Sequence, residues 1–147
     1  MSDQGKSIVI LMADDDPDDR LLTREALDEA HLVNDLHFVE NGEQLLDYLY
    51  QRGPYSSSTA PRPGLILLDL NMPLKDGREA LEEIKTDAVL RKIPVVVLTT
   101  SKAEEDILLS YDLGVSGYIT KPVRFEELIE VMRTLGRYWF EIVERPY

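Results

Sequence analysis

The chain has 147 residues, of which 44% are apolar and 30% charged, with a formal net charge of −12 and no cysteine. Such a length and composition suit one soluble globular domain around one core. The charge disfavours nucleic acid and anionic membrane surfaces, which need a positive face. The missing cysteines exclude disulfides and thiolate metal sites and fit a reducing, cytoplasmic setting.

The apolar run Ile8–Met12 is too short to span a membrane, and the acids that follow it at once rule out a signal peptide. It predicts a first strand, Ser7–Ala13. Asp16-Pro17 opens the first helix, with Asp as N-cap and Pro at the first helical position, and the helix runs to about Ala30. Leu36–Glu40 is a second strand, polar enough for a sheet edge. A second helix covers Glu43–Gln51. Arg52–Pro63, with three prolines and three serines, reads as a surface loop. The third strand is Leu65–Asp69, and Asp76-Gly77-Arg78-Glu79 is a capping box that opens the third helix. Val95–Thr99 is the fourth strand, Ser101-Lys102-Ala103-Glu104 opens a fourth helix, Gly117–Thr120 is the fifth strand, and a fifth helix begins near Phe125. Ile8–Met12, Leu65–Leu68 and Val95–Leu98 are apolar at every position, the mark of strands buried on both faces. Strict alternation of strand and helix implies a doubly wound α/β fold with a parallel sheet and right-handed crossovers.

Ligands of such a sheet bind at the carboxyl ends of the strands. Asp14 and Asp15 follow strand one, Asp69 ends strand three, Thr99 ends strand four and Lys121 follows strand five. Three carboxylates gathered there repel one another, and a divalent cation relieves the repulsion. With hard oxygen donors and no His or Cys, the ion is Mg²⁺ or Mn²⁺. Asp15 and Asp69 are the expected direct ligands, with the backbone carbonyl of Asn71 as a third and Asp14 acting through a bound water. Asp69 can then attack phosphorus and form an acyl phosphate. Lys121 offers a point charge to the phosphoryl oxygens and Thr99 a hydrogen bond. Taken singly, each group has a plainer account: a capping Asp69, a solvated acidic turn at Asp14–Asp16, a capping Thr99 and a surface Lys121. Asp16 is better read as a helix cap than as a ligand. His31, near the end of the first helix, and His37, in the edge strand, are not catalytic candidates.

Asp14-Asp15, Leu68-Asp69-Leu70-Asn71-Met72-Pro73, Thr99 and Gly117-Tyr118-Ile119-Thr120-Lys121-Pro122 together resemble the receiver domain of two-component response regulators, over about residues 7–136. The resemblance implies a flavodoxin-like (βα)5 fold with strand order 2-1-3-4-5. It implies phosphorylation of Asp69 by a sensor histidine kinase, metal binding by Asp14 and Asp15, a switch pair of Thr99 and Tyr118, and phosphoryl recognition by Lys121. The family often carries an aromatic residue after its Lys-Pro pair, where this chain has Val123. The long loop before strand three and the Tyr138-Trp139 tail are similar to the small regulators that partner bacterial phytochromes.

Apolar residues at Phe125, Leu128, Ile129, Met132, Leu135, Tyr138, Trp139, Ile142 and Val143 keep a spacing of three and four. The fifth helix is therefore expected to extend past the usual receiver end. Tyr138, Trp139, Ile142 and Val143 form a surplus apolar face, which suits a homodimer through the fourth helix, fifth strand and fifth helix; intramolecular packing is the alternative. The expectation is one receiver domain over 1–147, with 137–147 extending the last helix and no effector domain after it. Output then passes through protein contacts. Two rivals remain: a Mg²⁺-dependent hydrolase with an aspartyl-phosphate intermediate, whose second Asp is replaced here by Asn71, and a receiver-like module that is not phosphorylated.

Overall fold

Apolar side chains that alternate between two faces of each central strand build two cores, one on either side of a sheet. The computed structural model describes residues 9–30, 35–56, 59–70, 72, 74, 77–99, 117–120 and 124–144, with the backbone alone at 99, 117–120 and 135–144. Its elements are β1 (Ile10–Ala13), α1 (Pro17–Glu29), β2 (Leu36–Val39), α2 (Gly42–Tyr50), β3 (Leu65–Asp69), α3 (Gly77–Thr86), a 3₁₀ turn (Leu90–Lys92), β4 (Val95–Thr99), β5 (Gly117–Thr120) and a C-terminal helix (Phe125–Glu144). The last three expected strands match residue for residue. The expected start of β1 at Ser7, the Asp76 cap, His31 and the helix opened by Ser101 fall outside the described residues.

The five strands are parallel, in the order β2-β1-β3-β4-β5. This is the flavodoxin-like order, with β2 at the edge as its polarity suggested. On one face Ile10, Met12, Leu65, Leu67, Val96 and Leu98 pack against Ala26 and Leu27 of α1 and Leu128, Ile129 and Met132 of the C-terminal helix. On the other, Leu11, Ala13, Ile66, Leu68, Val95 and Val97 meet Leu45, Leu46 and Leu49 of α2 and Ala80, Leu81 and Ile84 of α3. Each such fully buried aliphatic contributes about 1.5–3 kcal/mol relative to exposure. The central strands are thus the rigid part from which the site projects.

Local hydrogen bonds fix the helix starts. The Asp16 carboxylate accepts from Asp18 N at 2.9 Å, as its capping role requires. Asn41 caps α2 by accepting from Gln44 N at 2.8 Å, and the Gln44 side chain accepts from Glu40 N at 2.8 Å. In the loop Arg52–Pro63, Arg52, Gly53, Pro54, Ser56, Thr59 and Arg62 are exposed, as expected of a surface loop. Its returning limb is held down: Tyr48 Oη donates to Pro61 O at 2.8 Å, Gln51 Nε2 donates to Ala60 O at 3.1 Å, and Ala60 and Pro63 are buried. Among the described residues no helix is long and apolar enough to cross a membrane.

Candidate metal and phosphoryl site

Strand periodicity brings two acids onto one face. Asp14 continues the series Ile10, Met12, and Asp69 continues Leu65, Leu67, so both lie on the face covered by α1 and the C-terminal helix. Register brings them level: Ala13 pairs with Leu68, so the next step along each strand is Asp14 beside Asp69. They flank the β1/β3 boundary, where the chain's winding reverses and open α/β sheets hold their ligands. Asp14 is fully buried, Asp69 is 4% exposed and Asp15 is exposed.

One carboxylate oxygen from each of Asp14, Asp15 and Asp69 lies within 4.8 Å of the others. Around an octahedral Mg²⁺ with bonds of about 2.1 Å, opposite ligand oxygens stand about 4.2 Å apart and adjacent ones about 3 Å apart. Three carboxylate oxygens gathered within 4.8 Å are the donor set a hard divalent cation takes, and a small inward shift would bring them to that spacing, with Asp15 leaving the cluster open to solvent.

The backbone holds this geometry. Asp14 N donates to Val39 O at 3.0 Å, Asp16 N to Asp14 Oδ1 at 2.9 Å, and Arg20 Nη1 to Asp14 O at 2.7 Å. Leu70 N donates to Leu98 O at 3.1 Å, continuing the β3–β4 ladder beyond Asp69. Gly77 closes under the strand end: its N–H donates to Leu70 O at 3.0 Å, and a Cβ there would overlap the carbonyl oxygen of Asp69. Arg20 and Gly77 were not singled out from the sequence. Gly77 stood only inside a capping box, and the reach of Arg20 to a residue six positions back on a strand end has no local pattern.

The backbone of Thr99 ends β4 and pairs with Thr120 of β5, and Tyr118 pairs with Val97, so both lie in the sheet near the edge that carries the acids. Asn71 and Lys121 fall outside the described residues. Tyr138, Trp139, Ile142 and Val143 belong to the C-terminal helix, which continues to Glu144 as the spacing suggested. His37 lies in β2 with its ring edge-on to Tyr48, 5.9 Å between centroids, away from the cluster's residues.

The family model of the response regulator receiver domain matches residues 10–133. The chain belongs to the receiver-domain family. Over 147 residues the receiver is 42% identical to the response regulator Rcp1 of Synechocystis, covering 99% of each chain. Its structure superimposes on that of the phosphorylated cyanobacterial phytochrome response regulator RcpA with a TM-score of 0.83 at 42% identity, covering 96% of this chain and 99% of that one. The Mn²⁺-bound form of Rcp1 gives 0.81 at 41% identity, with 95% and 99% covered. The response regulator RPA3017 in red light signalling of R. palustris gives 0.85 at 35% identity, again with 95% and 99% covered. The receiver is thus a response regulator of two-component signalling, a class phosphorylated on an aspartate by a sensor kinase and served by Mg²⁺ or Mn²⁺ at an acidic pocket.

Proposed function

We propose that Asp69 is the phosphoacceptor of this receiver and that Asp14, Asp15, Asp69 and the Asn71 carbonyl hold the divalent cation. The meeting of three carboxylates within 4.8 Å around the tip of buried β3 carries the reading. A bound cation supplies positive charge that lets an anionic phosphoryl donor approach an anionic acid. The other work belongs to the chain. Strand pairing on both sides fixes the backbone of Asp69, so its carboxylate is held at the strand tip where it would attack phosphorus. Bond formation from that oxygen and loss of the leaving group yield an acyl phosphate. Lys121 balances the phosphoryl charge and Thr99 donates a hydrogen bond, with Tyr118 following Thr99 as the switch; these roles rest on the receiver motif.

The donor is a sensor histidine kinase of the bacterial phytochrome type, a reading supported by the phytochrome and red-light regulators this receiver is similar to. The protein works in the cytoplasm as a single receiver domain over 1–147, with self-phosphorylation and autodephosphorylation as its chemistry. It signals through protein contacts, as a homodimer that uses Tyr138, Trp139, Ile142 and Val143. Supporting this, the C-terminal helix runs to Glu144, past the family match that ends at residue 133.

Incubation with acetyl phosphate and Mg²⁺, read by intact mass, tests the chemistry. One added phosphoryl group is expected, absent in Asp69→Asn. Sustained turnover of varied phosphomonoesters would instead mark a hydrolase, and no adduct would mark a receiver that is not phosphorylated. Sedimentation tests the dimer: a monomer at all concentrations, phosphorylated or not, sinks that part of the reading.

A further inference from the structure

Arg20 closes the first turn of α1, its N–H donating to Asp16 O at 3.1 Å, and its side chain reaches back to the strand end that carries the acids. Its Nη1 donates to Asp14 O at 2.7 Å, and its Nη2 stands 3.8 Å from Glu40 Oε2 at the end of β2. The side chain is 19% exposed, whereas that of Glu40 is 61% exposed. The ion pair is therefore long and solvated and adds little. The bond to the carbonyl is short, charge-assisted and largely shielded, so it is the stronger of the two.

That carbonyl belongs to the peptide linking Asp14 to Asp15. Asp14 is anchored independently, through Val39 O on its N–H and Asp16 N on its Oδ1. The Asp16 bond closes a ring through the Asp14–Asp15 peptide, Arg20 braces the same peptide from its carbonyl oxygen, and the orientation of that peptide sets where the exposed Asp15 backbone stands relative to the two buried acids. The three carboxylates repel when no cation is bound, and rotation of this peptide would carry the Asp15 backbone away from the other two acids. A guanidinium on the peptide oxygen opposes that rotation through a charge-assisted hydrogen bond from a planar, pre-organised donor.

We propose that Arg20 is a positioning residue for the divalent-cation site, fixing the Asp14–Asp15 peptide so that the ligands are arranged before the ion arrives. The proposal rests on the reading of Asp14, Asp15 and Asp69 as the metal site. Groups that orient metal ligands typically change affinity by about 10–100-fold when removed.

Calorimetric titration of the full chain with Mn²⁺ tests it, alongside urea unfolding in EDTA. Arg20→Gln is expected to weaken Mn²⁺ binding roughly tenfold. Arg20→Lys, which keeps a cation able to reach the carbonyl, is expected to recover part of that loss. Glu40→Gln removes only the outer ion pair and is expected to bind Mn²⁺ as wild type does. A merely structural Arg20 would lower the urea midpoint and leave the affinity of the folded protein alone. Arg20→Gln binding as tightly as wild type, or Glu40→Gln weakening it equally, overturns the proposal. Should Arg20→Gln not fold, Arg20→Lys decides: weaker binding than Glu40→Gln supports the role, and equal binding overturns it. Asp15→Asn and Asp69→Asn separate the two levels. If wild type binds Mn²⁺, both variants lose it and Arg20→Gln keeps it, only the role of Arg20 fails. If wild type does not bind, or neither variant loses binding, the metal-site reading fails and takes this one with it.

Discussion

Gly77 is where one methyl group reaches the site. A Cβ there would overlap Asp69 O and lie 2.7 Å from Leu70 Cα, both main-chain atoms at the end of a strand paired on either side. Neither can shift without pulling β3 from its neighbours, unlike a contact with a flexible side chain. Gly77→Ala is expected to cost about 1–3 kcal/mol in urea unfolding, as overpacking of a closed interior does. It is also expected to slow adduct formation, because what must move is the main chain that carries the proposed phosphoacceptor. An unchanged urea midpoint would show that the loop after Asp69 yields instead. Asp15→Asn offers the contrast. Asp15 is exposed, so its replacement is expected to change metal-free stability by no more than about 0.5 kcal/mol while abolishing Mn²⁺ binding.

Among the elements, α2 and the loop behind it depend on Tyr48. The ring is buried and packs against Tyr55, with 5.4 Å between centroids, while the hydroxyl holds the loop through Pro61 O. Burial, reinforced by Tyr55 and Asp35, pushes the Tyr48 hydroxyl up from 10.0 to about 12. The folded form therefore keeps its proton where the unfolded chain has lost it. The resulting stability is fully present below pH 10 and is lost as pH rises through about 12. Tyr48→Phe is expected to cost about 1 kcal/mol at neutral pH, the net worth of one such hydrogen bond, and to flatten the fall in thermal midpoint between pH 10 and 12. A wild-type alkaline fall that survives in Tyr48→Phe would place its origin elsewhere. The same region shows where sequence reading stops. β3 and β4 were legible because Leu65–Leu68 and Val95–Leu98 are apolar on both faces, and the alignment of Asp14 with Asp69 follows from the period of two. The anchored loop was not legible, because its hydrogen bond joins residues thirteen positions apart and prolines and serines look alike in free and anchored loops. The Asn41 cap was missed for a local reason: the apolar pattern of α2 starts after it, which drew the helix one residue late.

For the whole molecule, a net charge of −12 means that any cation stabilises the fold to some degree by screening self-repulsion. A rise in thermal midpoint on adding Mg²⁺ is therefore no proof of a site by itself. Specific binding to the folded state adds a separate contribution, about 2.7 kcal/mol when the free ion stands at a hundred times its Kd. In a domain of this size that is worth roughly 10 °C. The two effects separate by comparing MgCl₂ with NaCl at matched ionic strength. Wild type is expected to gain clearly more from Mg²⁺, and EDTA should remove only that excess. Asp15→Asn and Asp69→Asn are expected to keep the NaCl gain and lose the excess, because each removes a ligand yet changes the total charge by only one unit. Equal gains from Mg²⁺ and Na⁺ in wild type would mean that the three acids act as part of a diffuse negative surface rather than as a site.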